Sequence, residues 1–189
     1  MKKVFLIHGY KGEPNGGWRP WLMGELARLD VWACALSLPM NDGYPKKEEW
    51  VKEMERIIGD PNEDIFLVGH SLGVPTILRY LENLPINNHI GGAVLVSGPI
   101  HVLDLDKYRP IDNFIEKSFD FQHIKKVCKN FKVIHAKDDP NVPFSHAEDL
   151  SRDLACELVA LSQGGHLNGS SGYYELPEVL GALKNISKI

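Results

Sequence analysis

One stretch constrains this chain more than any other: Asp64-Ile65-Phe66-Leu67-Val68-Gly69-His70-Ser71-Leu72-Gly73. An unbroken apolar run enters Gly-x-Ser-x-Gly, and Val74-Pro75-Thr76-Ile77-Leu78-Arg79-Tyr80-Leu81 behind it has helical character. The pattern predicts a strand that turns sharply into a helix and lifts a serine out above a sheet. Glycine suits positions 69 and 73 because such a turn brings backbone against backbone, and side chains there would collide with a neighbouring strand or helix. Ser71 then stands at a helix start, where backbone N–H groups are free and the dipole favours negative charge.

The same alternation runs along the whole chain. Apolar, β-rich runs at 4–7, 31–36, 65–68, 93–96, 131–135 and 157–161 are expected strands. Amphipathic segments at 18–29, 47–58, 72–84, 144–154 and 174–185 are expected helices. Near-continuous Val/Ile/Leu strands separated by helices imply a mostly parallel sheet of about six strands, covered by helices on both faces. An open sheet of this kind receives its ligand at the carboxyl ends of the strands. Asp60-Pro61-Asn62 and Pro85-Ile86-Asn87-Asn88 close two of the helices, since proline cannot continue them. Only 98–126, with Pro99 and Pro110, lacks clean periodicity. It reads either as a small cap segment over the site or as a surface crossover with one or two short helices.

A length of 189 residues suits a single domain, 1–189, with a sizeable core. A net charge of −4 with no Lys/Arg stripe argues against nucleic acid or an anionic membrane surface as a partner. Lys2 and Lys3 followed by Val4-Phe5-Leu6-Ile7 superficially resemble a signal sequence, but the apolar run is too short and no small-residue cleavage site follows. No run reaches membrane-spanning length. Cys34, Cys128 and Cys156 are odd in number and widely spaced, with no Cys-x-x-Cys, so neither a disulfide framework nor a metal site is expected. A cytoplasmic location and no cofactor are the resulting expectations.

A serine hydroxyl is a poor nucleophile until a base takes its proton, and the base must be oriented by a third group. Both partners are available, each after a strand. Phe131-Lys-Val-Ile-His-Ala136 leads into Lys137-Asp138-Asp139-Pro140-Asn141-Val142-Pro143, and 157–161 leads into Ser162-Gln163-Gly164-Gly165-His166-Leu167-Asn168. On spacing alone, Asp138 and Asp139 compete for the place of the acid.

Gly69-His-Ser-Leu-Gly73, His8-Gly9 after the first strand, Asp139-Pro-Asn-Val-Pro143 and Gly164-Gly-His166 together resemble the α/β-hydrolase superfamily, in its Ser…Asp…His order. The short chain, opening almost directly on the His-Gly strand, is similar to the small serine hydrolases of the retinoblastoma-binding protein nine type and their bacterial relatives. The resemblance implies a nucleophile elbow at Ser71, His166 as general base and then acid, and Asp139 orienting the imidazole. It favours Asp139 over Asp138 because the family's acid directly precedes a proline turn with Val-Pro three residues on. It places an oxyanion hole at the backbone N–H groups of Leu72 and Tyr10, and reads His8 as architectural.

Trp18, Tyr10, Tyr44, Ile100, Val142, Phe144 and Leu167 flank these motifs and are the expected apolar wall of a substrate pocket. His70 is expected to be a packing or pocket-edge residue rather than a catalyst, and no remaining histidine has ligand spacing. The implied activity is hydrolysis of a small carboxylic ester, thioester or amide through a Ser-His-Asp triad. Acyl transfer by the same residues, or a non-catalytic binding protein on the same scaffold, are the competing expectations. Leu154-Ala-Cys156-Glu157 sets its glutamate one residue early for Leu-x-Cys-x-Glu, so that motif is absent and the sequence names no protein partner.

Overall fold

The structure, a computed structural model, describes residues 1–41 and 43–188. Six parallel strands form one sheet: β1 (Lys3–Ile7), β2 (Trp32–Ala35), β3 (Ile65–His70), β4 (Gly92–Val96), β5 (Phe131–Ala136) and β6 (Glu157–Leu161). Their spatial order is β2-β1-β3-β4-β5-β6. Every expected strand is present. β3 runs two residues further than its apolar run, because Gly69 and His70 still pair with Leu95 and Val96 of β4.

Helices α1 (Arg19–Arg28) and α7 (Pro177–Ser187) cover one face, and α2 (Lys47–Ile58), α3 (Gly73–Asn83) and α6 (Ser145–Leu154) cover the other. Each strand feeds both layers because its side chains alternate across the sheet. In β1, Val4 and Leu6 join Leu22, Leu26, Val179 and Leu183, while Phe5 and Ile7 join Trp50, Met54 and Ile77. On α2 the buried residues Trp50, Val51, Met54 and Ile58 recur at helical spacing. Fully burying one such large apolar side chain contributes roughly 1.5–3 kcal/mol. Helix α7 begins at Pro177 rather than near Tyr174, since proline is favoured in the first turn, where its missing N–H costs nothing.

The irregular segment 98–126 contains a 3₁₀ turn (Asp106–Ile111), the short α4 (Asp112–Ile115) and the start of α5 (Phe121–Val127). It lies on the α2/α3 layer. Ile111, Phe114 and Ile115 are buried, and Phe114 meets Trp50 edge-on at 5.5 Å. Arg79 on α3 donates to the carbonyls of Phe114, Lys117 and Ser118. Among the described residues no helix is long and apolar enough to cross a membrane.

Candidate active site

The elbow after β3 has the steric tightness its glycines imply. Ser71 sits at φ 54°, in the left-handed region that a serine occupies only when the surroundings impose it. Its N–H donates to the carbonyl of Val96 at 2.9 Å, tying the turn to β4. A methyl group added at Gly73 would lie 2.3 Å from the carbonyl oxygen of Ile7, and one at Gly9 would lie 2.8 Å from Ser71 Cβ. Gly9 therefore lets the loop after β1 close directly on the serine. His8 holds that loop: its Nδ1–H donates to the Gly9 carbonyl at 2.8 Å, and its Nε2 accepts from the N–H of Leu38 at 3.3 Å.

Asp139 and His166 arrive from loops following β5 and β6, at the same end of the sheet. Ser71 Oγ donates to His166 Nε2 at 2.9 Å, and His166 Nδ1–H donates to Asp139 Oδ2 at 2.8 Å. A carboxylate can only accept, which fixes the proton on Nδ1 and leaves Nε2 as the lone pair facing the serine. The Asp139 side chain is 0 % exposed. Its other oxygen, Oδ1, accepts the N–H groups of Asn141 and Val142 at 2.8 and 3.1 Å. Burial pushes this carboxyl up, but donation from His135 and His166, the electrostatic pull of the nearby His166 ring and the Asn141 N–H outweigh it, holding Asp139 well below the usual carboxylate range. Asp138 does different work. It is exposed, and its Oδ1 accepts the N–H of Gly165 at 2.9 Å, bracing the loop that carries His166.

Two histidines stand beside the relay. His70 Nε2–H donates to the carbonyl of His166 at 2.8 Å, with its ring edge-on to Trp18. Burial, then the neighbouring His166, pushes its pKa down to about 3, so it is neutral near pH 7. His135 is fully buried, and its Nε2 reaches both the Val142 carbonyl and Asp139.

The cleft over Ser71 has a volume of about 320 Å³. Its walls come from the loop after β1 (Tyr10 to Gly17, with Trp18 and Arg19) and from Asn168, Gly169 and Ser170. Of the seven expected wall residues only Tyr10 and Trp18 line it, and Trp18 donates from Nε1 to the Leu167 carbonyl at 2.8 Å. The other five lie elsewhere. Tyr44 is 57 % exposed, away from the cleft. Ile100 and Leu167 are buried in the two cores, one on each side of the sheet. Val142 is buried and spends its backbone on Asp139 and His135, and Phe144 packs edge-on against His135 at 5.9 Å. Nearness in sequence to a motif does not decide which side of a loop faces the cleft. Arg19, Asn168 and Ser170 are wall residues that the motifs alone do not single out, while His70, expected there from its place in the elbow, lines the cleft as well. Among the described residues, no His, Cys, Asp and Glu side chains gather in a metal-binding group.

Residues 4–185 match the serine hydrolase family. YdeN of Bacillus subtilis (strain 168) is 37% identical over 182 residues, spanning 96% of this chain and 94% of that protein. The crystal structure of the B. subtilis ydeN gene product covers 100% of both chains with a TM-score of 0.93 at 36% identity. The serine hydrolase RBBP9 of Rattus norvegicus is 24% identical over 166 residues, 87% of this chain and 84% of its own length.

Proposed function

Since this chain belongs to the serine hydrolase family, we propose that it cleaves a small carboxylic ester through an acyl-enzyme formed on Ser71. The observation that carries this reading is the unbroken relay from Ser71 Oγ through His166 to Asp139, at 2.9 and 2.8 Å. As Oγ attacks the ester carbonyl, His166 Nε2 takes its proton, and buried, ionised Asp139 stabilises the imidazolium that results. The carbonyl oxygen becomes an oxyanion in reach of the Leu72 and Tyr10 N–H groups. Leu72 immediately follows the nucleophile at the start of α3, and Tyr10 follows Gly9, which closes against Ser71. Each such donor is worth about 2.7–4 kcal/mol of transition-state stabilisation. His166 then passes its proton to the departing alkoxide, freeing the alcohol. In the second half it takes a proton from water, which attacks the acyl-enzyme, and returns that proton to Ser71 Oγ as the acid is released.

A hydroxyl already hydrogen-bonded to its base is set to attack an activated electrophile. A fluorophosphonate probe tests this directly. Labelling of the folded protein on Ser71, absent in Ser71→Ala, is the expected result. Failure of folded wild-type protein to label would overturn the catalytic reading and leave a binding scaffold.

A further inference from the structure

Arg19 lines the same cleft as Ser71 and is 94% buried, being only 6 % exposed. It is the first residue of α1, the helix end whose dipole disfavours a cation, and no acidic residue stands in that first turn. Its hydrogen bonds go to neutral acceptors only: Nε to the Pro14 carbonyl at 3.3 Å and Nη2 to the Glu13 carbonyl at 2.6 Å. Among the described residues no carboxylate pairs with it. Burial is the only influence on its pKa, lowering it to about 10, so it remains charged at neutral pH.

A buried charge is costly unless an opposite charge and hydrogen bonds compensate it. The loop carbonyls take two of the five N–H groups of the guanidinium, leaving three, including both on Nη1. Around it, exposed Lys11 and exposed Glu13 offset each other on the cleft rim, so Arg19 leaves the cleft with a net positive charge. Stapling the 9–17 loop needs only a donor, and the approach of the guanidinium to the Trp18 ring, 5.9 Å from its centre, offsets the buried charge only in part. The unspent edge of a guanidinium matches the geometry of a carboxylate.

We propose that the ester hydrolysed at Ser71 carries a free carboxylate, and that Arg19 is the residue that receives it. This rests on the assignment of Ser71 as nucleophile. The carboxylate sits on either the acyl or the alcohol part of the substrate, and the two placements call for different probes.

The experiment compares kcat/KM for matched esters at low ionic strength. 4-Nitrophenyl butyrate is set against the mono-4-nitrophenyl esters of succinate and glutarate, and phenyl acetate against 4-acetoxybenzoate. Wild-type protein is expected to favour the anionic member of at least one pair by about tenfold to a hundredfold, the range for a hydrogen bond to a charged group. The preference should be expressed mainly in KM and should weaken as salt is added. In Arg19→Gln the anionic-to-neutral ratio should collapse toward one, with Arg19→Lys between. Equal or poorer use of the anionic ester in every pair by wild-type protein overturns the proposal, whether or not the variants fold. So does a ratio that survives in folded Arg19→Gln.

Binding separates this from the catalytic reading. Monomethyl glutarate should bind Ser71→Ala in calorimetric titration more tightly than dimethyl glutarate does, and Ser71→Ala/Arg19→Gln should lose the difference. If no ester is turned over, the Ser71 reading fails while this titration still decides Arg19. No difference between the two glutarates overturns the Arg19 proposal.

Discussion

His135 Nε2 lies 3.3 Å from Asp139 Oδ2 and 3.0 Å from the carbonyl oxygen of Val142, so the buried carboxylate is held between two imidazoles rather than one. Both acceptors lack protons, which places the His135 proton on Nε2 and leaves Nδ1 with no partner among the described residues. His135→Leu removes a donor from a buried anion. It should cost about 1.5–3 kcal/mol in urea unfolding, the range for a hydrogen bond to a charged group. Asp139 keeps its bonds to Asn141, Val142 and His166, so its carboxyl should move up toward the ordinary range without reaching it. Carbon-13 NMR of the Asp139 carboxyl checks the direction. An unmoved titration in a folded variant would remove His135 from the account of Asp139.

Adjacent Asp138 and Asp139 should respond very differently to the same change. Asp139→Asn keeps the size of the side chain but replaces the acceptor that fixes the His166 proton on Nδ1, and should lower turnover by about 10⁴. Asp138 accepts one backbone N–H, from Gly165, at the surface. An asparagine carbonyl can accept it equally well, so Asp138→Asn should stay within about threefold of wild type. Steady-state turnover of 4-nitrophenyl butyrate decides the matter, and the reverse ranking would exchange the two assignments.

Three buried histidines set the acid side of the stability curve. His70 is pushed down to about 3 and His146 to about 4, chiefly by burial and then by neighbouring histidines: His166 for the first, His101 and His135 for the second. His8 is lowered as well, again chiefly by burial. An unfolded chain protonates its histidines near 6.5. Their folded values lie lower, so between about pH 6.5 and 4 the unfolded state binds more protons, and stability falls as the pH falls. Each histidine contributes a slope of about 1.4 kcal/mol per pH unit where its two forms differ fully. Asp139 acts in a separate window: its depressed carboxyl supports the fold fully above about pH 4 and gives way only in stronger acid. Urea unfolding between pH 7 and 5 should therefore show declining stability. His146→Gln, which keeps an acceptor for the Ile100 N–H, should flatten the slope by about one proton's worth. A flat stability profile across the same range in wild type would contradict the burial argument.

What the sequence reveals and what it conceals follow from the range of the forces involved. The strands and long helices are visible because each buries a face whose period is written locally, as in Val4 to Ile7 or in Trp50, Val51, Met54 and Ile58. Ser71, Asp139 and His166 are visible because the elbow and the two later loops carry motif residues at fixed places. Arg19 is not, since a lone arginine opening a helix reads as solvated, and its burial depends on the 9–17 loop folding over it. His135 is equally concealed: it belongs to an ordinary apolar strand, and only the turn at Asp139-Pro140 brings the carboxylate back onto it. Tyr44 shows the opposite error, an aromatic near a loop that the fold leaves at the surface.

Segment 98–126 is the remaining place where local pattern says little, and Arg79 is the residue that tests it. From α3 its Nε donates to Phe114 at 2.9 Å and its Nη1 to Ser118 at 3.3 Å, with Nη2 on Lys117. Its guanidinium stacks 3.9 Å from the centre of the Phe119 ring and pairs with Glu82, which in turn accepts the N–H of Asp120. One side chain thus gathers the backbone from 114 to 120 onto the helical layer. Arg79→Ala leaves those carbonyls without their charged donor and should cost about 2–3 kcal/mol. Limited trypsin and chymotrypsin digestion should then open new sites within 105–121, where Lys107, Tyr108, Lys117 and Phe119 offer them. The Ser71 cleft is walled by the loop after β1 and by 168–170, not by this segment, so KM for 4-nitrophenyl butyrate should change by less than about threefold. A KM that shifts more than about tenfold in the folded variant would instead make 98–126 a cover over the cleft, held in place by Arg79.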